Sequence, residues 1–238
     1  MNQPKQLAGQ LAFVLGAGHG YGREAALGLG QAGAFVACFD FSPMHAEQTA
    51  QAIVAAGGQA KAYSGDVIKK IALQTVFNQV TDDFGEERID ILVSAVDVAP
   101  TAHLLKLDEW DWHRALDSNL TLPFLAAQIA GRIMQTHGGG TMLFFGPQEN
   151  HPASVVYQAG KMGLLGMVRH ATQALAPFHI RVHMFWPEAQ TAPPEAISFA
   201  EAAAQAGAAP PPATPGEMVC WLADTAQARW SGWVLTIP

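Results

Sequence analysis

An α/β fold, a doubly wound parallel sheet with helices on both faces, is predicted by three features of the chain. Apolar runs of strand length recur along it, stretches of helical length separate them, and a glycine-rich turn joins the first run to the first helix. The runs are Leu11–Leu15, Phe35–Asp40, Ala60–Ser64, Ile89–Ala95, Thr141–Phe145, Arg181–Trp186 and Trp233–Ile237, about seven strands. Between them, 20–32, 44–56, 69–84, 108–136 and 155–176 have helical length. Strands alternating with helices call for right-handed crossovers, which make the sheet parallel and cover both its faces. No internal repeat or linker divides the chain, so residues 1–238 read as one domain. One segment stands apart, 187–215, where alanines run into Pro210, Pro211, Pro212 and Pro215. It is either a surface loop around a short helix or a lid over a substrate pocket, since it follows the sixth strand on the side where open α/β sheets bind ligands.

Composition removes several function classes. Half of the 238 residues are hydrophobic, enough for a substantial core and against wholesale disorder. Lys and Arg number 13 against 20 Asp and Glu, so the net charge of −7 offers no clustered positive field for a nucleic acid. Cys38 and Cys220 make neither a disulfide framework nor a CxxC pair, as expected of a reducing compartment. The first ten residues lack the basic-then-apolar pattern of a signal peptide, and no apolar run approaches the ~18 residues of a membrane span. A soluble, cytoplasmic protein without membrane partners is expected. Of the nine histidines only His179 and His183 stand at HxxxH spacing, and they run into the strand 181–186 rather than along a helix; with no Cys/His ligand spacing elsewhere, no metal site is expected.

Two constellations carry chemistry. Directly after Leu15 comes Gly16-Ala17-Gly18-His19-Gly20-Tyr21-Gly22, then a helix. Glycines there let the strand turn sharply and let backbone approach a pyrophosphate, while the following helix aims free N–H groups and its positive dipole end at the phosphates. His19 is either a contact to the cofactor or loop filler. Asp40 ends the second strand, where a carboxylate can accept from both hydroxyls of an adenosine ribose and would repel a 2′-phosphate. No Arg or Lys lies in 39–44 to offset that charge, so NAD is favoured over NADP. Asp66, after the third strand, is placed to face an adenine amino group, or to cap a helix.

The second constellation is Tyr157-Gln158-Ala159-Gly160-Lys161. The i, i+4 spacing puts phenol and ammonium on one helix face. A phenol in water titrates near ~10, and a neighbouring ammonium favours its phenolate, which makes it a general acid/base near neutrality.

Taken together, these residues resemble the short-chain dehydrogenase/reductase family over nearly the whole chain. The family's TGxxxGxG matches Leu15-Gly16 through Gly22, its acidic strand end Asp40, and its Asp-Val Asp66-Val67. Its Trp-x6-Asn matches Trp112 to Asn119, its YxxxK Tyr157 and Lys161, and its Arg-Val-x4-Pro-Gly matches Arg181 to Pro187-Glu188. The resemblance implies a Rossmann sheet and a nicotinamide coenzyme. Tyr157 would be the acid/base, Lys161 would hold the ribose, and Asn119 would position a water linking Lys161 to solvent. It also adds Ser94, Ala95, Pro187 and Thr191 to the expected coenzyme contacts. Helices 108–136 and 155–176 would pair across a homodimer or homotetramer interface.

Four departures stand against the pattern. The family's NNAG reads Ser94-Ala95-Val96-Asp97, which loses a clamp and crowds the floor beside the coenzyme. Leu15 replaces a threonine, and Glu188 the glycine after Pro187. The fourth is the largest: no serine or threonine lies between Met142 and Ala153, where the family places its catalytic serine. Ser154 lies too near the helix start to replace it, leaving Gln148, Asn150 and His151 as candidate donors. Losing one such donor costs ~10²–10³ in rate, less than the ~8 kcal/mol or more of a whole catalytic advantage. Two functions follow. One is an NAD-dependent oxidoreductase of an alcohol/carbonyl pair; the other is a weakly active or inactive NAD-binding relative serving as partner subunit or sensor.

Overall fold

The computed structural model describes residues 5–148, 154–187, 192–207, 212–224 and 231–236. One eight-stranded parallel sheet organises them, in the order β3-β2-β1-β4-β5-β6-β8-β7. The strands are β1 (Leu11–Leu15), β2 (Phe35–Phe39), β3 (Gln59–Tyr63), β4 (Ile91–Ser94), β5 (Gly140–Phe145), β6 (Ile180–Trp186), β7 (Ile197–Ser198) and β8 (Val234–Thr236). Seven of these lie where the apolar runs put them. The addition is the two-residue β7, too short to leave a pattern.

The helices are α1 (Gly20–Gln31), α2 (Pro43–Ala55), α3 (Lys70–Phe84), α4 (Glu109–Leu116), α5 (Leu122–Thr136), α6 (Val155–Leu175), α7 (Phe199–Gln205) and α8 (Pro215–Ala223). The stretch 108–136, expected as one helix, is α4 and α5 joined by a π-helical turn over Asp117–Thr121. The Leu122 N–H reaches back to the Asp117 carbonyl, a slip in the ladder of the kind often found at functional sites. In the alanine- and proline-rich segment, Ser198 and Thr214 each form a capping box, with Glu201 and Glu217, and so start α7 and α8.

Both faces of the sheet are dry, which is why the strands are apolar at successive positions. Leu11, Phe13 and Leu15 join one core cluster, while Ala12 and Val14 join the other on the opposite face. The edge strand β3 alternates exposed and half-buried residues up to the buried Tyr63 and carries Lys61, paired with Asp83 at 2.7 Å. Strand order reverses between β1 and β4, the switch point at which such sheets open a crevice beyond the strands' carboxyl ends. Gly16, Asp40, Gly65, Ala95, Gly146 and Pro187 all follow strands on that edge.

Candidate active site

The glycine turn is built for close approach. Gly16 and Gly20 have φ of +82° and +52°, the left-handed region that glycine enters without strain. A Cβ on Gly18 would stand 2.5 Å from Asp40 Oδ2, and one on Gly22 would overlap the Gly16 carbonyl oxygen. Asp40 is held from both sides: Oδ2 accepts from the Gly18 N–H at 3.0 Å and Oδ1 from the Ser42 N–H at 2.9 Å. The carboxylate is therefore fixed beside the turn and 6 % exposed. His19 leaves its ring in solvent, with Nδ1 3.9 Å from Asp40 Oδ2. Tyr21 stacks on Phe145, centroids 5.5 Å apart, tying the turn to the end of β5.

Asp66 accepts from the Ile68 N–H at 3.4 Å and is exposed, whereas Val67 is buried in the core. Asp66 also lines a cleft of about 610 Å³ with Phe41, Val98 and Arg114. A larger hollow, about 820 Å³, lies between α1 and α8 near Glu24 and Trp221; none of the residues expected to act lines it. Ser94 ends β4 between β1 and β5, its hydroxyl buried without a hydrogen-bond partner, and Ala95 abuts Gly22. Pro187 is buried after β6. Thr191, Asn150 and His151 lie outside the described residues.

At the other end of the crevice, α6 brings Tyr157 and Lys161 against the ends of β4 and β5. Gly160 lets it approach: a Cβ there would stand 3.1 Å from Asn119 Cβ. Lys161 is fully buried, its Nζ donating to Val96 O at 3.0 Å and Phe145 O at 3.2 Å. Asp97 Oδ1 stands 3.0 Å from the same nitrogen, and the Tyr157 ring centre 5.5 Å. Burial pushes the Lys161 pKa below its ordinary value, and the Asp97 carboxylate opposes that fall. The Tyr157 hydroxyl accepts the Gln148 backbone N–H at 2.9 Å, and its side chain is fully buried.

Asn119 lies in the π turn. Its amide accepts from the Val98 N–H at 3.1 Å and donates to Val98 O at 2.7 Å and Ala115 O at 2.9 Å. Its side chain thus clamps the segment after β4, two residues from Lys161's acceptor at Val96. Just past β5, a Cβ on Gly146 would meet Trp186 at 2.8 Å, so this position has no room for a larger side chain. Ser154 caps no N–H, and its buried hydroxyl has no hydrogen-bond partner among the described residues. Burial pushes both thiols, Cys38 and Cys220, up to about 12, so neither offers a thiolate near neutrality.

Two participants escaped the sequence reading. The Gln148 backbone amide leaves no trace in residue type, because every residue but proline has one. Asp97 was visible as a departure, but its spacing from Lys161 has no local meaning.

The sequence profile of the short chain dehydrogenase family matches residues 10–195. The chain belongs to that family. Among similar proteins, this short chain dehydrogenase is 30% identical over 182 residues to an uncharacterized oxidoreductase of Thermotoga maritima, covering 75% of this chain and 71% of that one. It is 33% identical over 165 residues to D-threitol dehydrogenase of Mycolicibacterium smegmatis, covering 68% and 63%. The hydroxysteroid dehydrogenase from Escherichia coli superposes with TM-score 0.80 at 25% identity, covering 99% of this chain and 98% of that one. A 7 alpha-hydroxysteroid dehydrogenase complexed with NADH and 7-oxo glycochenodeoxycholic acid superposes with TM-score 0.79 at 25% identity, covering 100% and 95%. The chain is therefore an oxidoreductase-family protein. The glycine cradle and the fixed Asp40 carboxylate suit the adenosine half of a dinucleotide. Around α6 the expected Tyr157, Lys161 and Asn119 side chains are engaged with the protein itself. Among the described residues no helix is long and apolar enough to cross a membrane.

Proposed function

We propose that this short chain dehydrogenase is an NAD(H)-dependent oxidoreductase of an alcohol/carbonyl pair, with Tyr157 as general acid/base. The observation that carries the reading is the Tyr157 hydroxyl oxygen receiving the Gln148 N–H at 2.9 Å. A hydroxyl held that way keeps its own proton to give, and the same N–H stabilises the phenolate left behind. In carbonyl reduction Tyr157 gives its proton to the substrate oxygen; in alcohol oxidation its phenolate takes that proton. The coenzyme, when bound, supplies or accepts the hydride. Lys161 favours the phenolate as the nearby cation and is the group that would meet the nicotinamide ribose. The Gln148 amide takes over part of the missing serine's work, from the phenol's side rather than the substrate's.

Asp40 supports NAD over NADP: it would accept from the adenosine ribose and meet a 2′-phosphate with like charge. Asp66 and Val67 are assigned to the adenine, and Gly16, Gly18, Gly20 and Gly22 to the pyrophosphate. The substrate class rests on relatives named for polyol and hydroxysteroid dehydrogenation. Phe124 on α5 and Met162 on α6 are exposed apolar side chains on the two helices through which homo-oligomer formation is proposed.

The decisive experiment is Tyr157→Phe, assayed across a panel of alcohols and carbonyls with calorimetric coenzyme titration alongside. Turnover is expected to vanish while NAD binding persists. Equal rates in the two proteins overturn the assignment, and NAD-induced thermal stabilisation without turnover in the wild type favours the non-catalytic role.

A further inference from the structure

Lys161 meets three oxygens within 3.2 Å: Val96 O, Phe145 O and Asp97 Oδ1. Two of the ammonium's three N–H groups go to the carbonyls, and the Asp97 carboxylate stands beside the same nitrogen as its counter-ion, so a ribose hydroxyl reaching the ammonium meets a charge already in place. The pair is sealed as well, with the Lys161 and Asp97 side chains 1 % and 5 % exposed. Its setting is rigid. Val96 is bonded to Lys161, and Val98 is gripped at both its N–H and its carbonyl by Asn119, so Asp97 sits between two anchored residues. Of the three acceptors, the two carbonyls belong to backbone at or just beyond the ends of β4 and β5. The Asp97 carboxylate is the one of the three that belongs to a side chain.

We infer that Asp97 is a positioning residue that holds Lys161 in a closed, charge-compensated pair, and that the nicotinamide ribose must compete with this carboxylate for the ammonium. The inference rests on the coenzyme reading above. A glycine, as the family carries there, offers no side-chain carboxylate; here an aspartate at that position trades coenzyme affinity for stability of the empty protein. A buried ammonium stripped of its counter-charge is costly. A variant lacking the carboxylate therefore begins from a poorer free state and gains more when ribose oxygens arrive.

The test compares wild type with Asp97→Gly and the near-isosteric Asp97→Asn. Thermal melts of the coenzyme-free proteins are combined with calorimetric titration of NADH and NAD. Both variants are expected to melt below wild type yet bind NADH about tenfold more tightly, a change of about 1.4 kcal/mol. The gain for NAD should be smaller, because an uncompensated ammonium repels the positively charged oxidised nicotinamide. A purely structural aspartate would lower melting temperature and affinity together and leave the NADH-to-NAD affinity ratio unchanged. Should Asp97→Gly fail to fold, Asp97→Asn decides. Binding to wild type with unchanged or weaker NADH binding in the folded variants overturns this inference alone. Binding to none of the three proteins at millimolar coenzyme overturns the functional reading along with it.

Discussion

The two ends of the crevice are built on different electrostatic terms. At the glycine-turn end, Asp40 is oriented by two backbone N–H groups, and among the described residues the nearest basic nitrogen, on exposed His19, is 3.9 Å away. At the Tyr157 end, the groups that the proposed chemistry would use already have partners inside the protein. Lys161 faces Asp97, Tyr157 faces the Gln148 amide, and Trp186 occupies the space beside Gly146. The first end is organised for a ligand before one arrives. The second has its groups paired without one, and its phenol is fully buried. Preorganisation and closure are thus divided between two halves of one site.

That contrast can be broken or sharpened experimentally. The largest effect is expected from Gln148→Pro, which deletes the N–H that the Tyr157 oxygen accepts. Loss of one such donor costs ~10²–10³ in turnover, whereas Gln148→Ala keeps the amide and should retain nearly full rate. Steady-state kinetics of the two variants separates backbone from side chain, and equal losses would return the role to the Gln148 side chain.

A smaller effect is expected at the open end. Asp40→Ala removes a charged acceptor, and hydrogen bonds to charged groups contribute ~1.5–3 kcal/mol, so NAD affinity should fall ~10–100-fold. NADP affinity should hold or rise, because the like charge facing its phosphate is gone. Calorimetric titration of both coenzymes reads the ratio; a parallel loss for both would show that Asp40 merely braces the glycine turn.

The smallest concerns Ser154, whose buried hydroxyl makes no hydrogen bond among the described residues and does not cap α6. An unsatisfied buried hydroxyl costs ~1–3 kcal/mol, so Ser154→Ala should stabilise the protein by about 1 kcal/mol in chemical denaturation without loss of rate. A slower, more stable variant would instead identify Ser154 as a substrate-facing donor that stability had been sacrificed to keep.

Much of the fold could be read in advance, because its signals are local. The run Leu11–Leu15 matches β1 residue for residue, since a strand covered on both faces is apolar at every position. The π turn was hidden in 108–136 because a one-residue slip in the hydrogen-bond ladder hardly disturbs the apolar periodicity around it. The short helix expected within 187–215 is α7, and the starts of α7 and α8 are legible in Ser198-x-x-Glu201 and Thr214-x-x-Glu217, whereas the surrounding alanines and prolines carry no periodicity that separates two helices. Asp97 was read as a steric departure. Its charge mattered more, and nothing near it in the chain says where a cation would be.

Sequence alone determined which groups are available: a glycine turn, an acid ending β2, and a phenol four residues before an ammonium. Each is encoded by neighbours along the chain or by a strand–turn–helix succession. Tertiary structure decided what those groups are bonded to in the absence of a ligand. The ends of β4 and β5, the π turn and α6 converge on Lys161 and Tyr157 from distant parts of the chain. Which oxygen an ammonium meets in a dry interior depends on that convergence, because only there is the competition of water removed.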